Sequence, residues 1–402
     1  MTAVLFSSWR GPVADPWPDI ATVTDHLGVP HLVVTRHALV RQVLGDPGTW
    51  RPENALDAVT PIPVAALRVL TGHRFRLPPT LANNGGASHP RIRAIVAEAL
   101  HPARVAEQQP WLTGLVRARV DRLATALDAG ESVDLHAGLA ADLPLRVLAR
   151  MVDLPAAETA TVKEFSRAAL ELFWAPLDHD RQVALAATVG HFHRVLRDFA
   201  ATGAGLAARL RADGHPVDVV VGALFFLLVA GQETTSQFLT LLLHRLTGEP
   251  TVLAGLRSGT VPVADVVEEG LRLEPPIVTW RRVAAEDTTL AGTPVARGTS
   301  VVLWLARAGR DAAVVAEPAA FRPGQPGSRR HLAFGAGAHR CVGAQLSRME
   351  AAVVVSEAAP LLTDAVVVRP PWCPDNLSFR MPDAFVIRRD GAATVVSRRS
   401  PG

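Results

Sequence analysis

The sequence predicts a mainly α-helical fold with a smaller β-rich part. Between residues 90 and 213, apolar side chains recur at three- and four-residue spacing. Residues 217–247 are apolar nearly all round, the mark of a helix buried on every side. Beyond Pro275-Pro276 the pattern changes to short β-rich runs around Gly292 and Gly298. The chain has 402 residues, 49% hydrophobic and 20% charged, which suits a globular core and excludes a disordered or fibrous chain.

Residues 31–35 read as a strand, and 37–44 as a helix stopped by Asp46-Pro47-Gly48. Residues 51–88 carry many Pro and Gly without a period and read as a long irregular region, of the kind that often holds function. Helices are expected over 89–100, 108–129, 135–151, 156–173 and 181–211, with Pro155, Pro176 and Pro216 as separators. Residues 217–247 read as one long helix, and 263–273 as another that Pro275-Pro276 ends. Strands follow at 288–290, 293–295 and 300–305, then a loop-rich stretch at 308–330, a helix at 342–358 and a strand-like tail at 365–397. No repeat or flexible linker divides the pattern, so residues 1–402 read as a single domain.

Composition excludes several functions. The formal charge is +3, Lys163 is the one lysine among 41 basic residues, and no run of five like charges occurs, so nucleic acid is not an expected partner. Two cysteines, Cys341 and Cys373, exclude a disulfide framework and a multi-cysteine zinc site. Residues 1–18 have no apolar segment after a basic start, so no signal peptide is expected. The apolar run 217–231 is interrupted by Asp218 and followed by Gln232, Glu233, Thr234 and Thr235, too short and polar to span a bilayer. A cytoplasmic protein without a membrane is the expectation.

The informative stretch is Phe334-Gly335-Ala336-Gly337-Ala338-His339-Arg340-Cys341-Val342-Gly343, between a loop and a helix. Its glycines let the backbone turn tightly and approach a flat ligand. Backbone N–H groups near the sulfur, at a helix start around Gly343, favour a thiolate that could ligate iron. A lone cysteine in such a loop is usually an inert buried thiol, but the full spacing F-x-x-G-x-x-x-C-x-G is far more specific.

This stretch resembles the haem-binding loop of the cytochrome P450 family, and segments from Asp15-Pro16-Trp17-Pro18 nearly to the end agree in order. The resemblance implies the cytochrome P450 fold and a haem monooxygenase with heme b (iron protoporphyrin IX). Cys341 would be the iron ligand, a thiolate that favours O–O cleavage, with Phe334 and Gly343 beside it. Ala230-Gly231-Gln232-Glu233-Thr234-Thr235 resembles the family's acid–alcohol pair. Ala230 and Gly231 would make room for oxygen, Glu233 would supply the carboxylate of a proton relay, and Thr234 the hydroxyl. Read without the family, this string could instead be a solvated helical kink, or its threonines could bond back to the preceding turn.

Glu269-Gly270-Leu271-Arg272 resembles a buried structural pair, with two departures: Gly270 where an apolar residue is usual, and Ala320 where an arginine is usual in Pro318-Ala319-Ala320-Phe321. Arg322 is the candidate substitute. The haem propionates would be held by His89 and Arg93 of an H-x-x-x-R helix, by Arg282, and by His339. Arg281 is the rival of Arg282. Substrate contacts are implied from residues 60–88, 165–195, the helix near Ala230, and Ile277 and Val278. Arg68, His73, Arg74 and Arg76 either attract an anionic group or are simply solvated.

No dinucleotide or flavin segment is evident, so electrons are expected from ferredoxin and ferredoxin reductase or a similar donor. It would dock on a face of Arg91, Arg104, Arg340 and Arg348. The expected reaction is hydroxylation or epoxidation of a small natural-product-type substrate. Oxidative cross-linking of aromatic groups, for example in a short peptide, is the alternative, and a non-catalytic haem-binding protein is the reading from another class.

Overall fold

The computed structural model describes residues 17–155 and 159–390. The expectations for residues 1–16, for 156–158 at the start of one helix, and for 391–397 of the tail lie outside these residues. In chain order the first elements are β1 (Ile20–Thr24), β2 (Pro30–Val34), α1 (His37–Gly45), β3 (Trp50–Arg51), α2 (Val64–Gly72), α3 (His89–Ala99), α4 (Pro102–Asp128) and β4 (Val133–Asp134). Then come α5 (Leu143–Val152), α6 (Thr159–Trp174), α7 (His179–Thr202), α8 (Gly205–Ala212), α9 (Val217–Ala230), α10 (Glu233–Thr247), α11 (Pro250–Ser258) and α12 (Val263–Leu273). The last part holds β5 (Thr279–Ala284), β6 (Thr288–Leu290), β7 (Thr293–Val295), β8 (Ser300–Trp304), α13 (Leu305–Ala308), α14 (Ala344–Leu362), β9 (Ala365–Arg369) and β10 (Val386–Arg389). The architecture is mainly helical with a smaller sheet part, as expected.

The main sheet runs β1-β2-β8-β5-β3. Chain-distant strands meet in it: β2 lies parallel to β8 with Leu32 opposite Val301, and β5 antiparallel to β8 with Arg282 opposite Val301. β1 and β3 were not read from the sequence, and β3 is two residues long. β5 carries Arg281 and Arg282 as adjacent strand residues in the β-rich part expected beyond Pro275-Pro276, and both are buried. Helix α11 also went unread.

Several expected helices are divided. The 217–247 helix breaks at Gly231-Gln232 into α9 and α10. This stretch is long and apolar enough to cross a membrane, yet 61% of its most apolar window is buried inside the protein, as a core helix would be. The 135–151 helix becomes a π-helical turn, His136–Ala140, followed by α5, which starts afresh with Pro144 in its first turn. The 181–211 helix bends at Gly203, where the Arg211 guanidinium donates to the carbonyls of Ala200 and Gly203 and closes the corner. Gly205 has φ +56°, and a Cβ there would lie 2.6 Å from the Val152 carbonyl oxygen, so α8 can start in that place only with glycine. The irregular region 51–88 holds α2, a regular nine-residue helix. In the tail, β9 and β10 flank a long irregular stretch.

Long α14 packs along α4 and against α10 and α12, and this block backs the cysteine loop. Within it Glu269 and Arg272, 0% and 1% exposed, form a two-pronged pair at 2.7 and 2.8 Å. Arg272 also donates to the carbonyls of Gly309, Pro318 and Ala320. The substitute for the missing arginine is not Arg322, whose guanidinium pairs with Glu317. Glu269 instead accepts from the Arg322 backbone N–H at 2.8 Å and from the Gln325 amide at 2.7 Å. Gly270 has a packing reason: a Cβ there would lie 2.6 Å from a Leu242 methyl and 3.3 Å from the Phe238 ring, so glycine lets α12 approach α10.

Candidate active site

The loop before α14 is shaped by its glycines. Gly335 and Gly337 have φ of +65° and +68°, and a Cβ on Gly337 would strike the Leu44 carbonyl oxygen at 2.3 Å. The turn closes where the Cys341 N–H donates to the Phe334 carbonyl at 2.9 Å. Cys341 lines an open cavity between this loop, the α9–α10 junction and β5, with about 1330 Å³ of empty space when its mouth is counted. Its sulfur is accessible from the cavity although protein surrounds it on the other sides. Burial pushes the thiol up, while the Gly343 N–H and the Arg93, Arg340 and Arg348 guanidiniums act the other way. Phe334 lines the same cavity, with the Arg348 guanidinium 4.5 Å above its ring.

Arg93, Arg282 and His339 reach this cavity from three separate elements. Arg93 donates to the Arg340 carbonyl and so clips α3 to the cysteine loop. His339 Nδ1 bonds the Leu81 carbonyl at 3.1 Å, and its ring lies 4.2 Å from that of buried His89. Burial first, then His89 and Arg282, pull His339 down to about 4. Arg282 is 1% exposed and is pulled down to about 10 by burial. Strand alternation separates it from Arg281, which turns away from the cavity and donates to the carbonyls of Ala55 and Asp57.

On the opposite wall, a Cβ on Gly231 would fall 2.5 Å from the Leu227 carbonyl oxygen, so the helix break needs glycine. Thr234 faces the cavity and donates its hydroxyl to the Ala230 carbonyl at 2.6 Å, filling the bond that the break frees. This is the back-bonding that the sequence left open. Glu233 does not line the cavity. It is buried, 2.5 Å from Lys163 Nζ, and it accepts from the Gln232 amide at 3.2 Å. That pairing joins residues seventy positions apart and left no sequence signal. Ile277 lines the cavity beside Trp280, while Val278 does not.

The expected arginine face is partly spent. Arg348 is held by Glu268, which also bonds His331, and Arg91 by a two-pronged pair with Asp213. Burial pushes the Glu268 carboxyl up, but His331 and Arg348 outweigh it and hold it down to about 2. Arg340 remains exposed. Cys373 is buried away from the cavity. One group escaped the sequence reading: Glu350 on α14 is 2% exposed, neither oxygen has a protein partner, and burial raises it well above the ordinary carboxyl value.

The chain is similar to known proteins along most of its length. A family model described as Cytochrome P450 matches residues 262–358. Cytochrome P450-SU2 of Streptomyces griseolus is 30% identical over 372 residues, 87% of each chain. The chain belongs to the cytochrome P450 family. Erythromycin C-12 hydroxylase of Saccharopolyspora erythraea is 28% identical to this P450 over 373 residues, 89% of this chain and 86% of that protein. Among solved structures, cytochrome P450 CREJ in complex with (4-ethylphenyl) dihydrogen phosphate superposes with a TM-score of 0.86 at 26% identity, over 92% of this P450 and 94% of that chain. This P450 is a monooxygenase of a haem family. Its cavity residues fit a haem: among the described residues Arg93, Arg282 and Arg340 line it, no carboxylate does, and Arg282 Nε and the neighbouring His89 Nε2 are buried without a partner. A flat dianion would balance that charge.

Proposed function

We propose that this P450 inserts oxygen into a small natural-product-type substrate by hydroxylation or epoxidation, with electrons supplied from outside. The observation that carries the reading is the Cys341 sulfur facing a cavity lined, among the described residues, by three arginines and no carboxylate. Cys341 would ligate the iron of heme b, with Gly343 N–H steadying the thiolate and the Phe334 ring packed beside it. Arg93, Arg282, His339 and His89 would hold the propionates. When bound, haem supplies the oxygen activation. The residues do the rest. Gly231 and Ala230 would leave room at the cavity wall beside a bound haem. Thr234 offers a hydroxyl in that space, and Glu233 holds a carboxylate one residue away, from which Lys163 must be released for it to carry a proton.

A natural-product substrate is supported by the erythromycin C-12 hydroxylase relative. The anionic ligand named for CREJ finds no match here: Arg68, Arg74 and Arg76 are exposed and none lines the cavity. Exposed Arg340 beside the cysteine loop supports a ferredoxin-type donor, and the buried 217–247 segment supports a cytoplasmic protein of one domain. A spectral binding screen of natural products, then product mass under labelled dioxygen, tests the reading. Gain of one labelled oxygen is the expected result. Loss of two hydrogens without oxygen would replace it with oxidative cross-linking.

A further inference from the structure

Trp280 stands two residues before Arg282 on β5 and faces the same cavity. Its ring is only half buried, but what lies behind it is rigid. Trp174, the last residue of α6, stacks on it at 6.3 Å and 25°. Phe379 meets it edge-on at 6.2 Å and 84°, and Trp174 and Phe379 close the triangle at 5.0 Å and 73°. Both backing rings are buried, 2% and 1% exposed. Phe379 is further fixed by a β-bridge to Ile277, which lines the cavity next to Trp280. The triangle thus joins three chain-distant segments and backs the Trp280 ring where it lines the cavity.

The surroundings define what that face can meet. Leu81, Leu227, Ile277 and Ala230 are apolar, and the lining threonine hydroxyls are engaged, Thr234 donating to the Ala230 carbonyl and Thr235 to Ser347 Oγ. Of the cavity arginines, Arg93 and Arg282 are those assigned above to the haem, and Arg340 is exposed in the cysteine loop. An aliphatic substrate would gain as much from leucine as from tryptophan, because burial is not directional. A planar π-system gains more, through offset stacking on a ring whose orientation is set before binding.

We propose that the substrate of this P450 presents a neutral, planar aromatic ring to the face of Trp280. The proposal deepens the function above and rests on its reading of the cavity. The test compares naphthalene with decalin, which share one carbon skeleton but not planarity, and adds naphthalene-2-sulfonate as the charged form. Binding to the haem-loaded protein is read from the Soret shift and from tryptophan fluorescence. Wild type should bind naphthalene about 2- to 12-fold tighter than decalin. Trp280→Ala should bring that ratio close to one, Trp280→Phe should keep most of it, and the sulfonate should bind more weakly than naphthalene. Equal binding of the two hydrocarbons to wild type, a ratio unchanged in Trp280→Ala, tighter binding of the sulfonate, or no binding of any probe would each overturn it. Because the first comparison uses wild type alone, it stands even if a variant fails to fold. A wild type whose reduced carbonyl complex lacks the thiolate signature would instead defeat the enzyme reading, whatever the ratio.

Discussion

The two walls of the cavity are built differently. On the Cys341 side a network of charged groups ties the loop to its backing. Arg93 clips the loop, Glu268 gathers His331 and Arg348, and behind them the Glu269–Arg272 pair meets three carbonyls and the Gln325 amide. On the α9–α10 side the lining is apolar apart from Thr234 and Thr235, the helix is broken, and Glu233 points away toward Lys163. The first wall is made to stay in place, the second to leave room. Holding therefore depends on buried charge, whereas selection and proton supply depend on a few movable groups.

The largest effect should come from breaking the holding wall. Arg272→Ala leaves Glu269 charged and buried with its main partner gone, at a cost of about 3–5 kcal/mol. Denaturant unfolding should show this loss, and a variant of near wild-type stability would show that the network is not what stabilises the wall.

On the other wall, Glu233→Gln should slow turnover by about 10²-fold while substrate and haem still bind. Thr234→Ala should keep binding but divert reducing equivalents to released peroxide. Coupled assays of electron consumption and product decide this, and wild-type yield in both variants would remove the relay from the account.

Arg282→Ala should weaken haem retention by about 10- to 150-fold, given the usual value of hydrogen bonds to charged groups. Arg281→Ala should lower thermal stability, because Arg281 holds Ala55 and Asp57, and should change haem retention far less. Haem-to-protein ratios after gel filtration separate the two, and the reverse order would mean that the wrong face of β5 looks into the cavity.

The smallest expected effect sharpens the comparison by pH. Burial raises Glu350 above the ordinary value of 4.5, so the folded state binds this proton more tightly than the unfolded chain. Its contribution is fully present at low pH and is lost as pH rises. Glu350→Gln should match wild type in thermal midpoint near pH 4 and exceed it increasingly toward neutral and alkaline pH. A gap that shrinks with rising pH would mean the carboxylate is paired when folded.

Much of the holding wall could be read from the chain. The ten-residue cysteine loop carries its glycines at fixed spacing, and His89 and Arg93 share a helix face. The period of a strand separates Arg281 from Arg282. The selecting wall was far less legible. At Gly231-Gln232 the polar string allowed a kink, but not a full break whose freed carbonyl is satisfied by the Thr234 hydroxyl. Lys163 and Gln325 meet their carboxylates only through tertiary packing, and no local pattern marks them. Trp280 reads as ordinary core until Trp174 and Phe379 are seen behind it.

The central claim is that Cys341 offers a thiolate to a haem in this cavity. The most direct measurement is the absorption spectrum of the reduced carbonyl complex, in wild type and in Cys341→Ser. The account predicts the strongly red-shifted Soret band of thiolate ligation in wild type and its loss in the variant. An ordinary haem spectrum in well-folded wild type, or a red-shifted band that survives Cys341→Ser, would contradict it.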